Sequence, residues 1–165
     1  MRLLTLIRHA KSSWDDTTLS DFDRPLNRRG ENDAPAMAQR LADELEQPLK
    51  LISSPALRAL TTARVFAEIL GIPEAKLHQE PRIYEATAGT LLDIVNRLPD
   101  KIEHAVLFGH NPGFTDLGRL LTREPYADMP TCAVATIAFD RPQWKDIMPG
   151  SGRLLRYRFP KESRR

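Results

Sequence analysis

Short apolar runs alternate with helical patterns along the chain, which is typical of an α/β sheet covered by helices. Runs that are apolar almost throughout predict strands buried on both faces, and such runs are found at 3–7, 49–53 and 105–108. Two further candidate strands are 77–79 and 132–139. Near the C-terminus, Leu155, Tyr157 and Phe159 alternate with arginines, which predicts a half-exposed strand at an edge of the sheet.

Apolar residues at helical spacing predict helices between the strands, at residues 37–45, 55–70, 91–98 and 112–121. In the second helix, Ser54 suits the N-cap and Pro55 the first helical position, while Gly71 suits the stop. Pro35 leaves the start of the first helix open, because a proline either kinks a helix or restarts it. The polar stretch 11–30 precedes that helix, and loops of this length are usually functional or disordered.

The composition is that of an ordinary globular protein. The 165 residues, of which 41% are hydrophobic and 28% charged, are expected to form one domain, 1–165. No apolar run approaches the roughly 20 residues that cross a membrane, and the N-terminal run is too short for a signal peptide, so we expect a cytoplasmic protein without a membrane partner. The single cysteine excludes an internal disulfide, and the net charge of +2 gives no reason to expect nucleic acid.

Histidines and arginines follow the predicted strands at the points where the strands end. Arg8 and His9 directly follow the first strand, and His110 follows the strand at 105–108. Arg58 lies about one turn into the helix after the second strand, so its side chain leans back toward the strand ends. Because ligands of open parallel sheets bind outside the carboxyl ends of the strands, we expect these four residues at one site.

This set of residues favours binding of a phosphoryl group. Guanidinium forks match phosphate oxygens in a bidentate fashion, and the two nearby helix starts offer free N–H groups to an anion. A neutral imidazole can attack phosphorus and form a covalent phosphohistidine. The charges of Arg8 and Arg58 are expected to disfavour protonation of His9. Both arginines and His110 can stabilise the transition state, so neither a metal nor another cofactor is required.

Each of these residues also has an ordinary structural explanation. A histidine after a strand is more often a packing or capping residue, and a single arginine usually pairs with a surface carboxylate. The functional interpretation therefore depends on the four residues occurring together. His78 and His104 lie in polar surroundings and are interpreted as exposed residues without a chemical role.

Four blocks follow one another along the chain: LTLIRHAKSSWDD, DRPLNRRG, SSPALRALTTARVFAEILG and VLFGHNPG. In this order they resemble the blocks of the histidine phosphatase superfamily, also called phosphoglycerate-mutase-like. The first resembles its RHG-type signature, the third supplies its second arginine, and the fourth its second histidine. One RHA triplet is a weak match, whereas four blocks in the family's order are specific.

The resemblance implies a fold and a site. The fold is a three-layer α/β/α sandwich with a mostly parallel central sheet. The site is a phosphate-binding pocket of Arg8, His9, Arg58 and His110, with His9 as the nucleophile.

Two departures from the wider family resemble its SixA-type branch, the phosphohistidine phosphatases. Ala10 and Lys11 stand where mutases and many phosphatases of the family carry Gly and Glu. The roughly 50 residues between Arg58 and His110 leave no room for the large helical lid of those enzymes. An open site suits a phosphohistidine carried by another protein, such as a phosphorelay component.

Glu85, in RIYEATAG, falls near the region where relatives place a carboxylate, and it is the candidate general acid. Its alternative explanation is a carboxylate that complements the dipole of a helix N-terminus. An imidazole is easier to expel than an alkoxide, so a phosphohistidine substrate tolerates a weak acid or none. Asp15, Asp16 and Asp23 are interpreted as solvated loop residues, with substrate contact as the alternative.

Two other hypotheses are open or weaker. The first hypothesis keeps the same fold and chemistry, but its substrate is a small phosphorylated metabolite instead of a protein. From a different class, the chain is a phosphate-binding module without catalysis, although a binder would not need an uncharged histidine between two arginines. Two other phosphatase chemistries fit poorly. A cysteine-based phosphatase would need an arginine six residues after Cys132, and none is there. A phosphatase that forms an aspartyl phosphate would need an apolar strand before the DxD pair of Asp21 and Asp23, and none precedes it.

Overall fold

Six strands and four helices make up the regular structure of residues 1–45 and 48–160, which the computed structural model describes. The strands are β1 (Arg2–Arg8), β2 (Lys50–Ser53), β3 (Leu77–Gln79), β4 (His104–Gly109), β5 (Val134–Phe139) and β6 (Gly152–Arg158). The helices are α1 (Arg28–Leu41), α2 (Leu57–Ile69), α3 (Ala88–Asn96) and α4 (Gly113–Thr122). None of these helices combines the length and apolar character that crossing a bilayer requires. Residues 46–47 and 161–165 of the predicted domain lie outside the described part.

The strands form one sheet in the order β3-β2-β4-β1-β5-β6. The pairs among β3, β2, β4 and β1 are parallel, whereas β5 runs antiparallel to β1, and β6 antiparallel to β5. The prediction of a mostly parallel central sheet is confirmed. β1 and β4, which contain the predicted apolar runs and are buried almost throughout, occupy its centre, and β6 with its alternating pattern is an edge strand as predicted.

Two helices cover each face of the sheet, which confirms the three-layer α/β/α prediction. α1 and α2 pack together over one face, where Met37, Phe66 and Phe108 belong to one buried cluster. α3 and α4 pack together over the other face, where Leu91 and Phe114 belong to a second cluster. Between α2 and β4 the chain forms only two 3₁₀ turns, β3 and α3, so the described residues contain no large lid.

The polar stretch after β1 is shorter than predicted, because α1 already begins at Arg28. Asn27 caps this helix, and its side-chain oxygen accepts a hydrogen bond from the Gly30 N–H at 2.9 Å. Pro35 lies inside α1, so the helix does not restart there. A proline costs the helix one hydrogen bond, and the buried apolar face of α1 stabilises it against that loss.

Several predicted element boundaries are wrong. α1 spans Arg28–Leu41 instead of 37–45, and α3 spans Ala88–Asn96 instead of 91–98. Two further boundaries, next to the carboxyl edge of the sheet, are wrong by two residues. α2 begins at Leu57, so Ser54 is not its N-cap and Pro55 is not its first residue. β5 begins at Val134 instead of residue 132. Cys132 has a φ of 62°, a left-handed backbone conformation that an extended strand excludes.

Candidate active site

The predicted phosphate-binding residues lie together at the carboxyl edge of the sheet. β1 and β4 are parallel neighbours, with Arg8 opposite Gly109. The residues that follow are therefore neighbours too, and the His9 N–H donates to the Gly109 carbonyl at 2.9 Å. The ring centroids of His9 and His110 are 5.3 Å apart. Parallel pairing thus brings together two histidines that are distant in the sequence.

Arg58 reaches the same edge from the first turn of α2 and is 6% exposed. Thr62, one turn later, fixes α2 against the end of β1. Its hydroxyl accepts from the Ala10 N–H at 3.0 Å and donates to the Arg58 carbonyl at 2.8 Å. The helix start and the strand end are therefore held in one arrangement.

His9 is buried, and one hydrogen bond fixes the orientation of its ring. Its Nδ1 lies 2.7 Å from the carbonyl oxygen of Ala10. Because a carbonyl oxygen only accepts, Nδ1 carries the proton of the neutral ring. Nε2 then carries the lone pair, which a nitrogen nucleophile requires.

Burial is the main reason that His9 is uncharged. The pKa of His9 is lowered to about 3, chiefly by burial and to a smaller extent by His110 in its protonated form and by the charges of the two arginines. The arginines, which the sequence predicted to disfavour protonation of His9, are therefore the smaller cause, and burial, which depends on the fold, is the larger one. Burial and then the charge of Arg58 lower the pKa of His110 to about 4. Both imidazoles are therefore neutral at neutral pH.

His110 is held by Ser54, the residue that the sequence analysis assigned to the helix cap. Nε2 of His110 lies 2.8 Å from the Ser54 hydroxyl oxygen. That oxygen also accepts a hydrogen bond from the Ala56 N–H at 3.2 Å. The Ser54 hydroxyl can donate its own proton to Nε2, which places the ring proton of His110 on Nδ1.

Three buried nitrogens around His9 have no hydrogen-bond partner among the described residues: Nε of Arg8, Nε of Arg58 and Nδ1 of His110. An unpaired buried donor costs about 1–3 kcal/mol, and such donors are rare in native proteins. Arg8 is otherwise engaged through Nη1, which donates to the Met129 carbonyl at 2.8 Å. A tetrahedral oxyanion, which carries several acceptor oxygens, is the chemical group that would satisfy these three donors together.

Asp21 is a residue of this site that the sequence analysis did not select. Its backbone carbonyl accepts from Nη1 of Arg58 at 2.6 Å, and its carboxylate accepts from Nη2 at 2.9 Å. The Tyr84 hydroxyl donates to the same carboxylate at 2.7 Å. In the sequence, Asp21 is marked only as the first residue of the DxD pair and by its position two residues before the block DRPLNRRG, and neither feature names Arg58 as its partner.

Glu85, the candidate general acid, lies at the rim of the site. It is exposed and has a left-handed φ of 56°. Together with His110, Thr87 and Asp116 it lines a cavity of about 440 Å³. Thr87 is the N-cap of α3, so Glu85 also lies close to a helix start, as its alternative explanation expects. Its role as an acid stays a prediction.

The other candidates are exposed or make structural contacts. Asp15, Asp16 and Asp23 are exposed, and so is His78. The interpretation of His104 as exposed is wrong, because it is buried with its Nε2 2.7 Å from a threonine hydroxyl in β1. Over residues 1–45 and 48–160, no three His, Cys, Asp or Glu side chains are arranged to hold a metal ion.

Comparison with known proteins identifies the family of the chain. The family model described as "Histidine phosphatase superfamily (branch 1)" matches residues 4–111. An uncharacterised chloroplast protein of Arabidopsis thaliana is 34% identical over 160 residues, which cover 92% of this chain and 72% of that protein. The family match includes all four residues of the predicted phosphate pocket.

Two solved structures share the fold over nearly the whole chain. A protein of Agrobacterium tumefaciens, described as a candidate phosphohistidine phosphatase SixA, is 25% identical, with a TM-score of 0.78 over 96% of this chain and 98% of that one. The protein histidine phosphatase SixA in complex with tungstate is 22% identical, with a TM-score of 0.80 over 96% of this chain and 97% of that one. The structural similarity therefore extends beyond the segment that the family model matches.

Proposed function

Because the chain belongs to the histidine phosphatase superfamily, we propose that it hydrolyses phosphohistidine on a protein, without a metal and through a phosphorylated His9. The observation that carries this proposal is the position of His9. Its uncharged Nε2 lies among three unpaired buried donors. In this proposal Arg8, Arg58 and His110 bind the phosphoryl group.

In the first step, Nε2 of His9 attacks the phosphorus atom. A P–N bond forms while the bond from phosphorus to the leaving group breaks. Negative charge develops on the equatorial oxygens, which accept hydrogen bonds from the Nε–H groups of Arg8 and Arg58 and from Nδ1–H of His110. The Ala10 carbonyl stabilises the positive charge that the His9 ring acquires, since it already accepts from Nδ1.

In the second step, a water molecule attacks the same phosphorus atom. The bond between phosphorus and Nε2 breaks, and His9 regains its lone pair. Inorganic phosphate carries away both protons of the water, so the ring returns to its neutral form. The same three donors stabilise this second transition state, because it carries the same charge distribution.

The leaving group determines how much acid catalysis is needed. The leaving nitrogen of a phosphohistidine substrate takes the bonding electron pair, and a substrate ring that carries a proton on its other nitrogen leaves as neutral imidazole, so it needs no further proton, unlike an alkoxide. Glu85 is the proposed proton donor for substrates with poorer leaving groups. Its exposed position at the rim, next to the cavity beside His110, is compatible with that role.

A protein substrate is favoured by the surroundings of the site. The described residues contain no large lid that would enclose a small molecule. Phe22 and Leu57, which are next to Asp21 and Arg58 in the chain, are each 37% exposed and offer apolar contact area to a protein surface. A small phosphorylated metabolite is the second candidate, favoured by the cavity of about 440 Å³ beside His110.

Phosphate release from two kinds of substrate tests the proposal. The same preparation receives a phosphohistidine-bearing phosphotransfer protein and a panel of phosphosugars. We expect kcat/KM for the phosphoprotein to be at least about tenfold higher than for the best phosphosugar. The opposite order would favour the metabolite hypothesis, and no release from any substrate would contradict phosphatase function.

A further inference from the structure

Asp21 joins several parts of the site, although its side chain is 48% exposed. It begins a 3₁₀ turn, Asp21–Asp23, in the loop after β1. Its carboxylate accepts from the Tyr84 hydroxyl at 2.7 Å, from Nη2 of Arg58 at 2.9 Å and from Nε of Arg24 at 3.2 Å. A solvated loop carboxylate is usually free to move, whereas these three donors hold the Asp21 carboxylate in one orientation.

The contacts to Asp21 determine which edge of Arg58 faces the site. A guanidinium has one edge formed by Nη1 and Nη2 and another formed by Nε and Nη2. Asp21 engages the first edge with its carbonyl and its carboxylate. The second edge remains, and its Nε is buried without a partner. This edge is the one that can hold two phosphoryl oxygens.

Tyr84 connects Asp21 to His110. Its hydroxyl donates to Asp21, and its ring packs edge-on against the His110 ring, with centroids 5.5 Å apart. The ring of Phe22, next to Asp21, packs against Tyr84 in the same manner at 5.2 Å. The hydrogen bond from Tyr84, followed by the contacts with Arg58, lowers the pKa of Asp21 to about 2, so the carboxylate is charged at every working pH.

From this geometry we infer that Asp21 is a positioning residue, which holds Arg58 so that its Nε edge meets the transferred phosphoryl group, and that Tyr84 holds Asp21 in place. The inference rests on the proposed function, since it concerns the same phosphoryl group. Without Asp21, the long side chain of Arg58 gains rotamers that point the Nε edge elsewhere. Binding of the transition state then weakens more than binding of the substrate.

The charge of Asp21 alone would act in the opposite direction. A carboxylate next to Arg58 repels an incoming phosphoryl anion. If Asp21 had no positioning role, its neutralisation would tighten anion binding. The sign of the change in affinity therefore separates positioning from simple electrostatics.

The test uses the full chain and vanadate, whose trigonal-bipyramidal form mimics the transition state. Vanadate affinity is measured by calorimetry for Asp21→Asn and Tyr84→Phe. Asp23→Asn is the matched control, because Asp23 lies in the same turn and its carboxylate accepts from Ser20. We expect Asp21→Asn to weaken vanadate binding about tenfold, Tyr84→Phe about threefold and Asp23→Asn less than twofold. In turnover with phosphohistidine protein, kcat falls in parallel while KM changes by less than about threefold.

Arg58→Ala completes a double-mutant cycle. In that background, Asp21→Asn is expected to change vanadate affinity by less than about twofold, because the group that Asp21 positions is gone. Unchanged or tighter binding by both Asp21→Asn and Tyr84→Phe, or an undiminished loss in the Arg58→Ala background, would overturn the inference.

Two features keep this test decisive. Tyr84→Phe removes one oxygen and preserves the ring packing, so it supports or overturns the inference even where Asp21→Asn does not fold. Vanadate binding requires no turnover. A wild-type protein that binds vanadate but releases phosphate from no substrate would therefore refute the proposed function, while the vanadate affinities would still decide the role of Asp21.

Discussion

At the scale of single residues, burial couples the protonation of His9 and His110 to folding. Their pKa values in the folded protein, lowered chiefly by burial to about 3 and about 4, lie below the ordinary value of 6.5. Between these values the unfolded chain binds more protons than the folded protein, so the free energy of unfolding rises with pH. The stabilisation is fully present above pH 6.5 and is lost as the pH falls through this window.

This coupling predicts acid sensitivity that depends on His9. Lowering the pH from about 7 to about 4.5 is expected to reduce the free energy of unfolding by about 2–3 kcal/mol for each of the two histidines. Asparagine does not titrate, so in His9→Asn the free energy of unfolding should fall less between these two pH values, by the amount that His9 contributes. Urea unfolding of both proteins at the two pH values measures the difference, and identical pH dependence would contradict a buried, neutral His9.

Arg58 is expected to stabilise the transition state directly. Arg58→Ala should lower kcat/KM by about 100-fold, equivalent to about 3 kcal/mol, because one buried donor to the developing charge is lost. Arg64→Ala is the matched control, since Arg64 lies on the same helix, is exposed and pairs with Glu74. A loss of less than about tenfold for Arg58→Ala would mean that this residue does not contact the phosphoryl group.

Glu85 provides a test of the leaving-group argument. Glu85→Gln is expected to lower kcat by about 100-fold with an alkyl phosphate and by less than about threefold with phosphohistidine protein, because only the alkoxide needs a proton. Steady-state kinetics with the two substrates on one enzyme preparation measures this contrast. Equal losses on both substrates would show that Glu85 is not an acid reserved for poor leaving groups.

At the scale of elements, Ser54 connects the end of β2, the start of α2 and His110. Ser54→Ala is expected to lower kcat about tenfold and the free energy of unfolding by about 1–2 kcal/mol, because it leaves His110 Nε2 and the Ala56 N–H without their partner. Ser53→Ala is the control. Ser53 is equally buried, but its hydroxyl donates to the Ser54 carbonyl. Similar losses of kcat in both variants would contradict a specific role for Ser54.

Elements were predictable where a local pattern and burial agree. The apolar runs of β1 and β4 predict central strands because such runs are stable only when both faces are covered. The start of α2 was predicted two residues too early. Ser54 accepts from the Ala56 N–H as a cap residue would, but the regular helix begins only at Leu57, and the contact of Ser54 with His110 is a tertiary contact that no local pattern reveals. In the same way, Pro35 is tolerated in α1 because packing stabilises the helix.

At the scale of the whole molecule, sheet topology determines what the sequence reveals about the site. Arg8, His9 and His110 could be placed together because parallel strands present their carboxyl ends at one edge. Asp21 and Tyr84 could not, because they lie in loops and 3₁₀ turns, and the hydrogen bonds of Asp21 with Arg58 and with Tyr84 join residues that are far apart in the sequence. Loop residues of this kind leave no periodic pattern in the sequence.

The most direct test asks whether His9 itself carries the phosphoryl group. The enzyme is mixed with substrate and quenched within one turnover, and the protein is digested under alkaline conditions that preserve phosphohistidine. Mass spectrometry should then find one phosphoryl group, acid-labile, on the peptide that contains His9. His9→Ala should show neither the modified peptide nor turnover, while its circular dichroism stays that of the wild type. Turnover by His9→Ala, or a wild-type phosphoryl group located on any other residue, would contradict the mechanism.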